Sequence, residues 1–452
     1  MLRSKRLMTA VAFALVFPAL ASAETLSDAL AKAYANNPDL NAARAALRAA
    51  DEGVPIAKSG YRPQVGAQIL RTTQVIDSDG SPRRESYSTG SAGITITQRI
   101  FDGFQTLNNV RANESIVFSG RAQLRANEIS ILLSAAEAYA NIARDQQVVA
   151  IRRQNLAFLK EQLNAADSRL QAGEGTRTDV SQAEAELASA QALLVNAVSQ
   201  LKQSEAAYVQ IVGDAPRDVK QPVPAKIGMP RTLDLAVATG LRDNPSIFAA
   251  QYNVDAAGYR VKQAEGTMLP GVTIQGNVSR ETSDTDRPNS VQGTITARLE
   301  IPIYQGGAEY GQIRQAKERL GQQRILVDSA RAEVQQTVVS AYAQYEAAVA
   351  AISANKQQIR AATQALNGVI EERKVGQRTT LDVLDAQQSV LIAKESLASS
   401  QRNAVVASYS LLAAMGALTV TGQNLQVAEY RPEIHYEAVQ DKWFGLRTVD
   451  GR

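Results

Sequence analysis

The sequence contains no cysteine, one histidine and one tryptophan, and aromatic residues make up only 5% of it. Without cysteine there is no disulfide and no thiolate metal site. The sequence also lacks a nucleophile–base pair, a cluster of metal-ligand residues and a phosphate-binding loop. GEG at 173–175 is too short for a nucleotide motif and follows a helix rather than a strand. We therefore expect no enzymatic activity, no cofactor and no structural metal ion.

The first 23 residues have the pattern of a secretory signal. Three basic residues precede an apolar stretch at 7–20, and Ala21-Ser22-Ala23 forms a cleavage site of the A-x-A kind. No later stretch reaches the roughly 18 apolar residues that a membrane helix requires. Loss of the three basic residues lowers Lys+Arg from 48 to 45, which equals the 45 Asp+Glu. A net charge near zero does not indicate a nucleic-acid partner.

One long pattern occurs twice in the chain. Apolar and small residues recur at steps of three and four along 383–414 and again along 180–211, as in the seam of a coiled coil. TLSDALAKAYANNPDL at 25–40 likewise matches TLDLAVATGLRDNPSI at 232–247. Self-similarity on this scale predicts a duplicated fold. The predicted organisation is a signal peptide (1–23), a first repeat (24–215), a linker (216–230), a second repeat (231–417) and an irregular C-terminal tail (418–452).

Each half of the chain also contains a stretch in which polar and apolar residues alternate. VTIQGNVS at 272–279 and VQGTITARL at 291–299 alternate in the second half, and ITITQ at 94–98 does so in the first. We predict one β-hairpin in each repeat, at about 64–98 and about 271–300, with strands of about ten residues.

Such a hairpin is either a soluble element with one wet face or part of a membrane barrel. The export signal, the aromatic residues near the strand ends and strands of about ten residues favour the membrane. Four strands cannot close a membrane barrel, since the smallest use about eight, and lipid does not tolerate open sheet edges. If the strands lie in a membrane, several chains must share one barrel.

Two stretches without proline, Gln105–Leu170 and 308–372, are predicted to be very long helices. At 1.5 Å per residue the first makes a rod of about 99 Å, which suits a coiled-coil barrel or a fibre. The residues alone leave open an export duct, a structural coiled-coil envelope protein without a pore, and a periplasmic adaptor. The amphipathic strands argue against the second class of protein, and the duplication argues against the third.

The doubled order of helix, hairpin, long helix, turn and helix, the two Asn-Pro signatures and the segment VGQRTTLDVLDAQ at 375–387 resemble the TolC-type outer-membrane channels. The resemblance covers nearly the whole mature chain, and 375–387 is its most specific part. It implies a mostly α homotrimer. Four strands per chain would form a twelve-stranded membrane β-barrel, continuous with a long α-helical coiled-coil tunnel.

The resemblance also implies a function, a location and partners. The chain would be the exit duct of tripartite multidrug efflux or type I secretion systems, in the outer membrane of a Gram-negative bacterium and extending into the periplasm. Its partners would be a periplasmic adaptor protein, an inner-membrane transporter of RND or ABC type, and outer-membrane lipid.

Two acidic residues lie where the second long helix has turned back. Asp382 and Asp385 are three positions apart at the start of a helix, so they point along one face. The resemblance implies that they ring the tunnel entrance, where a trimer would place six carboxylates. These carboxylates would bind multivalent cations, which would block the tunnel. The alternative role is helix capping, because the helix dipole favours an aspartate in the first turn.

The resemblance further implies a periplasmic gate. Arg378 matches the family's gate arginine, and Thr178 and Asp179 match its partners. Arg373 stands where the family has a tyrosine, so a tyrosine–aspartate hydrogen bond would become an Arg373–Asp179 ion pair or be absent. Candidate adaptor contacts, for which plain turn chemistry is an equal explanation, are Gly173, Val375 and Gly376.

The tail after 418 is expected to lie on the outside of the helices. It contains His435 and Trp443, the only residues of their types. We expect a surface histidine and an anchoring aromatic.

Overall fold

The computed structural model describes residues 24–76, 85–283 and 289–451. The predicted signal peptide at 1–23 and most of both hairpin loops lie outside these residues. The first repeat contains α1 (Leu26–Asn36), α2 (Pro38–Asp51), α3 (Gly53–Lys58), β1 (Gln64–Ile76), β2 (Glu85–Phe101), α4 (Gln105–Gln171) and α5 (Arg177–Val212). The second contains α6 (Leu233–Asp243), α7 (Pro245–Gly266), β3 (Gly271–Ser283), β4 (Ser290–Glu300), α8 (Ala308–Lys374) and α9 (Thr380–Ala414), and α10 (Pro432–Val439) follows in the tail.

The duplicated Asn-Pro signatures form the same structure in both repeats. Asn37 caps α2 by accepting a hydrogen bond from an amide of the first turn, and Asn244 caps α7 in the same way. Each asparagine also donates its side-chain amide to the end of the returning helix. Asn37 Nδ2 lies 2.9 Å from the Ile211 carbonyl oxygen, and Asn244 Nδ2 lies 2.8 Å from that of Ala414. One residue type therefore starts a short helix and holds the end of a long one.

The four strands form one antiparallel sheet in the order β1-β2-β3-β4. The pairing of β2 with β3 joins the two repeats. The strands have 13, 17, 13 and 11 residues and are longer than the predicted ten. On β4 the alternating apolar residues Val291, Ile295 and Leu299 are 73%, 86% and 61% exposed. This apolar face of the sheet is therefore uncovered in a single chain.

The long helices α4 and α8 each have 67 residues, so each extends over about 100 Å. α5 and α9 return along them and bury the predicted seam residues, such as Ala183, Ala190, Val383 and Val390. Small residues in the seam allow close approach of the backbones. Among the helices of the described ranges, none combines the length and the hydropathy that crossing a bilayer demands.

The main hydrophobic core lies halfway along α4, where the short helices and the ends of α5 and α9 meet. Tyr34, Tyr139 and Tyr208 are its largest fully buried side chains. The Tyr139 hydroxyl lies 2.7 Å from the carbonyl oxygen of Glu24 and 2.9 Å from that of Lys220. These contacts fasten Glu24 and the segment between α5 and α6 to the middle of α4.

The tail differs from its prediction in two respects. It is not irregular throughout, because α10 forms with Pro432 at its first position, where proline suits a helix. His435 is not a surface histidine. It is buried against α2, and its Nδ1 lies 2.8 Å from Oδ2 of the buried Asp51. Burial raises the pKa of the Asp51 carboxyl, and the bond to His435 opposes that change.

Candidate functional site

Each long hairpin ends in a tight turn at the end of the helices that is distant from the sheet. In the first turn (172–176) Gly173 has φ 76°, and in the second turn (375–379) Gly376 has φ 79°. The amides of Glu174 and Gln377 donate to the carbonyls five residues earlier, both at 2.9 Å. This is the Schellman arrangement, which requires a left-handed residue. Both glycines face open space, so backbone conformation alone explains their presence.

The returning helices begin with matching capping boxes. The Thr176 hydroxyl accepts from the Asp179 amide at 3.2 Å, and the Asp179 carboxylate accepts from the Thr176 amide at 3.1 Å. Thr379 and Asp382 repeat this exchange at 3.2 and 2.8 Å. Hydrogen bonds to the ionised form lower the pKa of both aspartates. The main cause is the side chain of Thr176 for Asp179 and the backbone amide of Thr379 for Asp382. Asp382 therefore caps α9, which is the alternative role considered for it in the sequence.

Two contacts join the first long hairpin (α4 and α5) to the second (α8 and α9) within one chain. Nη1 of Arg373, at the end of α8, donates to Oε1 of Gln162 on α4 at 3.0 Å. Thr380, buried at the start of α9, bonds to the Asp179 carboxylate and further lowers its pKa. Partial burial lowers the pKa of Arg373, and the nearby Arg169 adds to this effect. The contact between the two hairpins therefore contains a positively charged guanidinium that has lost part of its hydration.

Within one chain Arg373 contacts Gln162 rather than Asp179. In the described part of the chain it forms no ion pair with Asp179, although that carboxylate favours its charge. Its link to the other hairpin is the neutral amide of Gln162, and its Nε is buried without a hydrogen-bond partner. No signal in the sequence singles out Gln162, because it lies within the regular pattern of α4.

Arg378 lies against its own turn. Its Nε donates to Oε2 of Glu372 at 2.8 Å, and its Nη1 lies 3.9 Å from Oδ1 of Asp382. The bond to Glu372 raises the pKa of Arg378. Within one chain Arg378 is thus not brought to Thr178, whose side chain is exposed. Both groups remain open to a neighbouring molecule.

Further polar contacts, which the sequence patterns do not predict, join α4 to α5 and α9 above the turns. Nε of Arg152 lies 2.7 Å from Oε1 of Glu395, and its Nη1 donates to the Leu193 carbonyl on α5 at 2.8 Å. Gln387 donates to Asn155 at 2.8 Å. The coiled-coil spacing predicted that these helices pack together, but it does not identify which polar side chains meet.

The remaining candidate residues are exposed in or near the two turns. Asp385 is exposed and follows Asp382 by three positions, and Val375 is 71% exposed. Gly173 and Gly376 are exposed as well. Within the described ranges, no three acidic or histidine side chains group closely enough to hold a metal ion. A single chain thus presents two carboxylates along one helix face and a bare turn at its tip.

The sequences of both structural repeats match a known protein family. Residues 29–214 and 238–417 match the family described as "Outer membrane efflux protein". The chain belongs to this family. The match covers both hairpins, both long helices and both turns, and the predicted resemblance to TolC-type channels is confirmed.

Individual relatives agree with this assignment over most of the chain. Outer membrane efflux protein BepC of Brucella suis is 47% identical over 434 residues, which are 96% of this chain and 94% of that protein. Outer membrane protein TolC of Escherichia coli is 26% identical over 424 residues, 89% of this chain and 84% of that protein. Other relatives are named for alkaline protease secretion and for an efflux pump.

Solved structures share the fold. The Campylobacter jejuni CmeC outer membrane channel superimposes with a TM-score of 0.78 at 16% identity and covers 92% of this chain and 89% of that chain. This efflux protein is therefore a mostly helical outer-membrane channel protein that extends into the periplasm, and the predicted role as an outer-membrane exit duct is confirmed. The family is one of channels and indicates no enzymatic function.

Proposed function

We propose that three copies of this chain assemble into one duct, and that the first and second turns form its periplasmic gate. The observation that carries the proposal is the link from Arg373 near the end of α8 to Gln162 on α4, which joins the two repeats near the end of the long helices that is distant from the sheet. A duct needs a closure that can open, and a hydrogen bond such as this one contributes only about 0.5–1.5 kcal/mol, which is weak enough to break.

Assembly is supported by the edges of the sheet. In the described part of the chain, β1 and β4 are the outer strands of a four-stranded sheet. Open edges are not tolerated in lipid, so each edge pairs with another copy. Three copies then give the twelve-stranded barrel of the family, and the uncovered apolar face of β4 meets lipid.

The gate uses four residues, Arg373 within each chain and Arg378, Thr178 and Asp179 between neighbouring chains. Arg373 holds the second turn to α4 in its own chain. Arg378, whose side chain is 50% exposed, reaches Thr178 and Asp179 of the next copy. Exposed pairs of this kind contribute about 0–1 kcal/mol each, so binding of a partner can open the gate.

Asp382 and Asp385 form the constriction of the duct. Both lie at the start of α9, and threefold symmetry would bring six carboxylates to one neck. Such a ring selects cations and offers hard oxygen ligands to a multivalent cation, which would block the duct. The capping bonds of Asp382 leave one carboxylate oxygen for this purpose, because they all use Oδ2.

The partners of the duct are a periplasmic adaptor and an inner-membrane transporter of RND or ABC type. The exposed Gly173, Val375 and Gly376 are the adaptor contacts at the tips. The names of the relatives support both efflux and protein secretion as transport tasks. The duct itself is passive, and the transporter selects the cargo.

The test is planar-bilayer conductance of the purified protein with and without a trivalent cation. The parent should conduct cations and be blocked, whereas the Asp382→Asn, Asp385→Asn double variant should conduct without block. Asp385→Asn alone separates ring charge from capping, since Asp385 is not part of the capping box. Asp167→Asn, an exposed carboxylate on α4, is the matched control and should behave as the parent.

Two outcomes would contradict the proposal. Unchanged block in the double variant refutes the acidic neck. If neither the parent nor a variant with the gate link removed conducts after insertion, the duct is refuted and a structural coiled-coil envelope protein without a pore is favoured.

A further inference from the structure

The end of the C-terminal tail lies beside the point where the sheet begins. Beyond α10, Asp441 forms an ion pair with Lys58 of α3 at 2.7 Å. Arg62 then donates to the Lys442 carbonyl at 2.8 Å, and its guanidinium lies 4.7 Å from the centre of the Trp443 ring. Arg62 precedes β1 by two residues. Trp443 is therefore held at the periplasmic end of the strands.

The segment that follows is a tethered loop with exposed apolar side chains. Trp443, Phe444 and Leu446 are 64%, 89% and 102% exposed. Lys442 Nζ donates to the Arg447 carbonyl at 2.6 Å and closes the loop. Beyond it, Asp450 pairs with Arg48 of α2 at 3.4 Å. Three large apolar groups are thus directed away from the protein by a segment that is fixed at both ends.

The charged side chains around the loop that have no ion-pair partner are basic. The two carboxylates of the segment, Asp441 and Asp450, are each occupied by a basic residue of α2 or α3. In the described part of the chain no carboxylate pairs with Arg62, Lys442 or Arg447. Aromatic side chains flanked by unpaired cations are typical of segments that enter the interface of a bilayer with anionic headgroups.

Other exposed apolar residues occur at the same level. Ile303 and Tyr304, just after β4, are 92% and 74% exposed, and Tyr61, just before β1, is 50% exposed. Aromatic residues at both ends of membrane strands occupy the lipid–water interface. The loop at 442–447 continues this belt outward from the sheet, which favours lipid over a protein as its occupant.

We propose that Trp443, Phe444 and Leu446 insert into the periplasm-facing leaflet of the outer membrane, with Arg62, Lys442 and Arg447 at its phospholipid headgroups. The tail then forms a membrane contact outside the barrel and fixes the depth and tilt of the duct. This inference rests on the proposed barrel, because the strands must lie in the bilayer for the loop to reach it.

Trp443 is the only tryptophan in the chain, so its fluorescence reports on this loop alone. The full-length protein is reconstituted in vesicles of phosphatidylethanolamine and phosphatidylglycerol, with or without phospholipid brominated near the glycerol end of the acyl chains. We expect a blue-shifted emission, weak quenching by aqueous iodide, and loss of about half of the emission in brominated vesicles, as for a residue at the interface. Phe444→Ser combined with Leu446→Ser should reverse these effects.

Two relocated tryptophans serve as controls in a Trp443→Phe background. Ile69→Trp places the probe on β1 at a side chain that is 87% exposed, and Val195→Trp places it on α5 at one that is 68% exposed. The first should be quenched by brominated lipid, and the second by iodide only.

The outcomes separate the inference from the proposed function. If the tryptophan at 69 is quenched by lipid and Trp443 responds only to iodide, the barrel stands and the membrane contact of the tail is refuted. If Trp443 is shielded from both quenchers, the loop packs against protein, which also refutes it. If the tryptophan at 69 is not quenched by lipid, the barrel itself is refuted.

Discussion

Removing Gln162 should open the gate more than removing Arg373, although both changes delete the same hydrogen bond. Gln162→Ala leaves a partly buried guanidinium without its acceptor, on a residue whose Nε already has none. Arg373→Ala removes donor and charge together. It also relieves the burial and the proximity of Arg169 that lower the pKa of Arg373.

The size of the effect follows from the cost of an unpartnered donor. That cost is about 1–3 kcal/mol, and the low end applies here because the side chain is only partly buried. In the proposed trimer, three copies of Gln162→Ala would shift the closed–open equilibrium by about 3 kcal/mol, which is about 100-fold. For Arg373→Ala, about half as much per chain gives about tenfold.

The assay is the fraction of time that single channels spend open in planar bilayers, supported by entry of a bulky antibiotic into cells. Lys374→Ala is the matched control. Its side chain pairs with Glu371 at 2.7 Å, but the two are 59% and 70% exposed, so the pair contributes almost nothing. Equal effects of Gln162→Ala and Lys374→Ala, or a larger effect of Arg373→Ala than of Gln162→Ala, would refute the reasoning.

Three further predictions concern stability. Gly416→Ala should destabilise the protein by about 1–3 kcal/mol more than Gly376→Ala in chemical unfolding. Both have positive φ, but a Cβ at 416 would lie 2.7 Å from a backbone oxygen, whereas at 376 it meets nothing within 4 Å; equal losses would contradict this. The lowered pKa values of Asp179 and Asp382 mean that their caps stabilise the turns above the ordinary aspartate pKa and lose this effect as pH falls through the lowered values. Amide exchange at both turns, corrected for intrinsic rate, should accelerate on acidification below about pH 4, and constant protection would refute the assignment. His435→Ala should increase exchange along 432–439 while leaving α4 protected, since it removes the contact that holds α10 to α2; unchanged exchange there would show that the contact is dispensable.

The architecture of the repeats could be read from local patterns. The predicted rod Gln105–Leu170 and the observed α4 differ by one residue at their ends, because caps, glycines and heptads act within a few positions of the chain. The equivalence of Asn37 and Asn244 in the two repeats could likewise be read from the sequence, because each asparagine caps the helix that begins at the next residue. The alternation of polar and apolar residues indicated which face of the sheet is apolar, but not that β2 is 17 residues long.

The contacts of the candidate site and of the tail were decided by the tertiary structure. Arg373 meets Gln162 across 211 positions, and His435 meets Asp51 across 384. Which polar groups meet depends on the faces that two long helices present to each other and on how much hydration each group loses there. The same holds for Trp443, whose sequence neighbours do not indicate that it lies beside the first strand. Short-range patterns carry the information for helices and turns, whereas desolvation and long-range packing select the partners, and these exist only once the chain is folded.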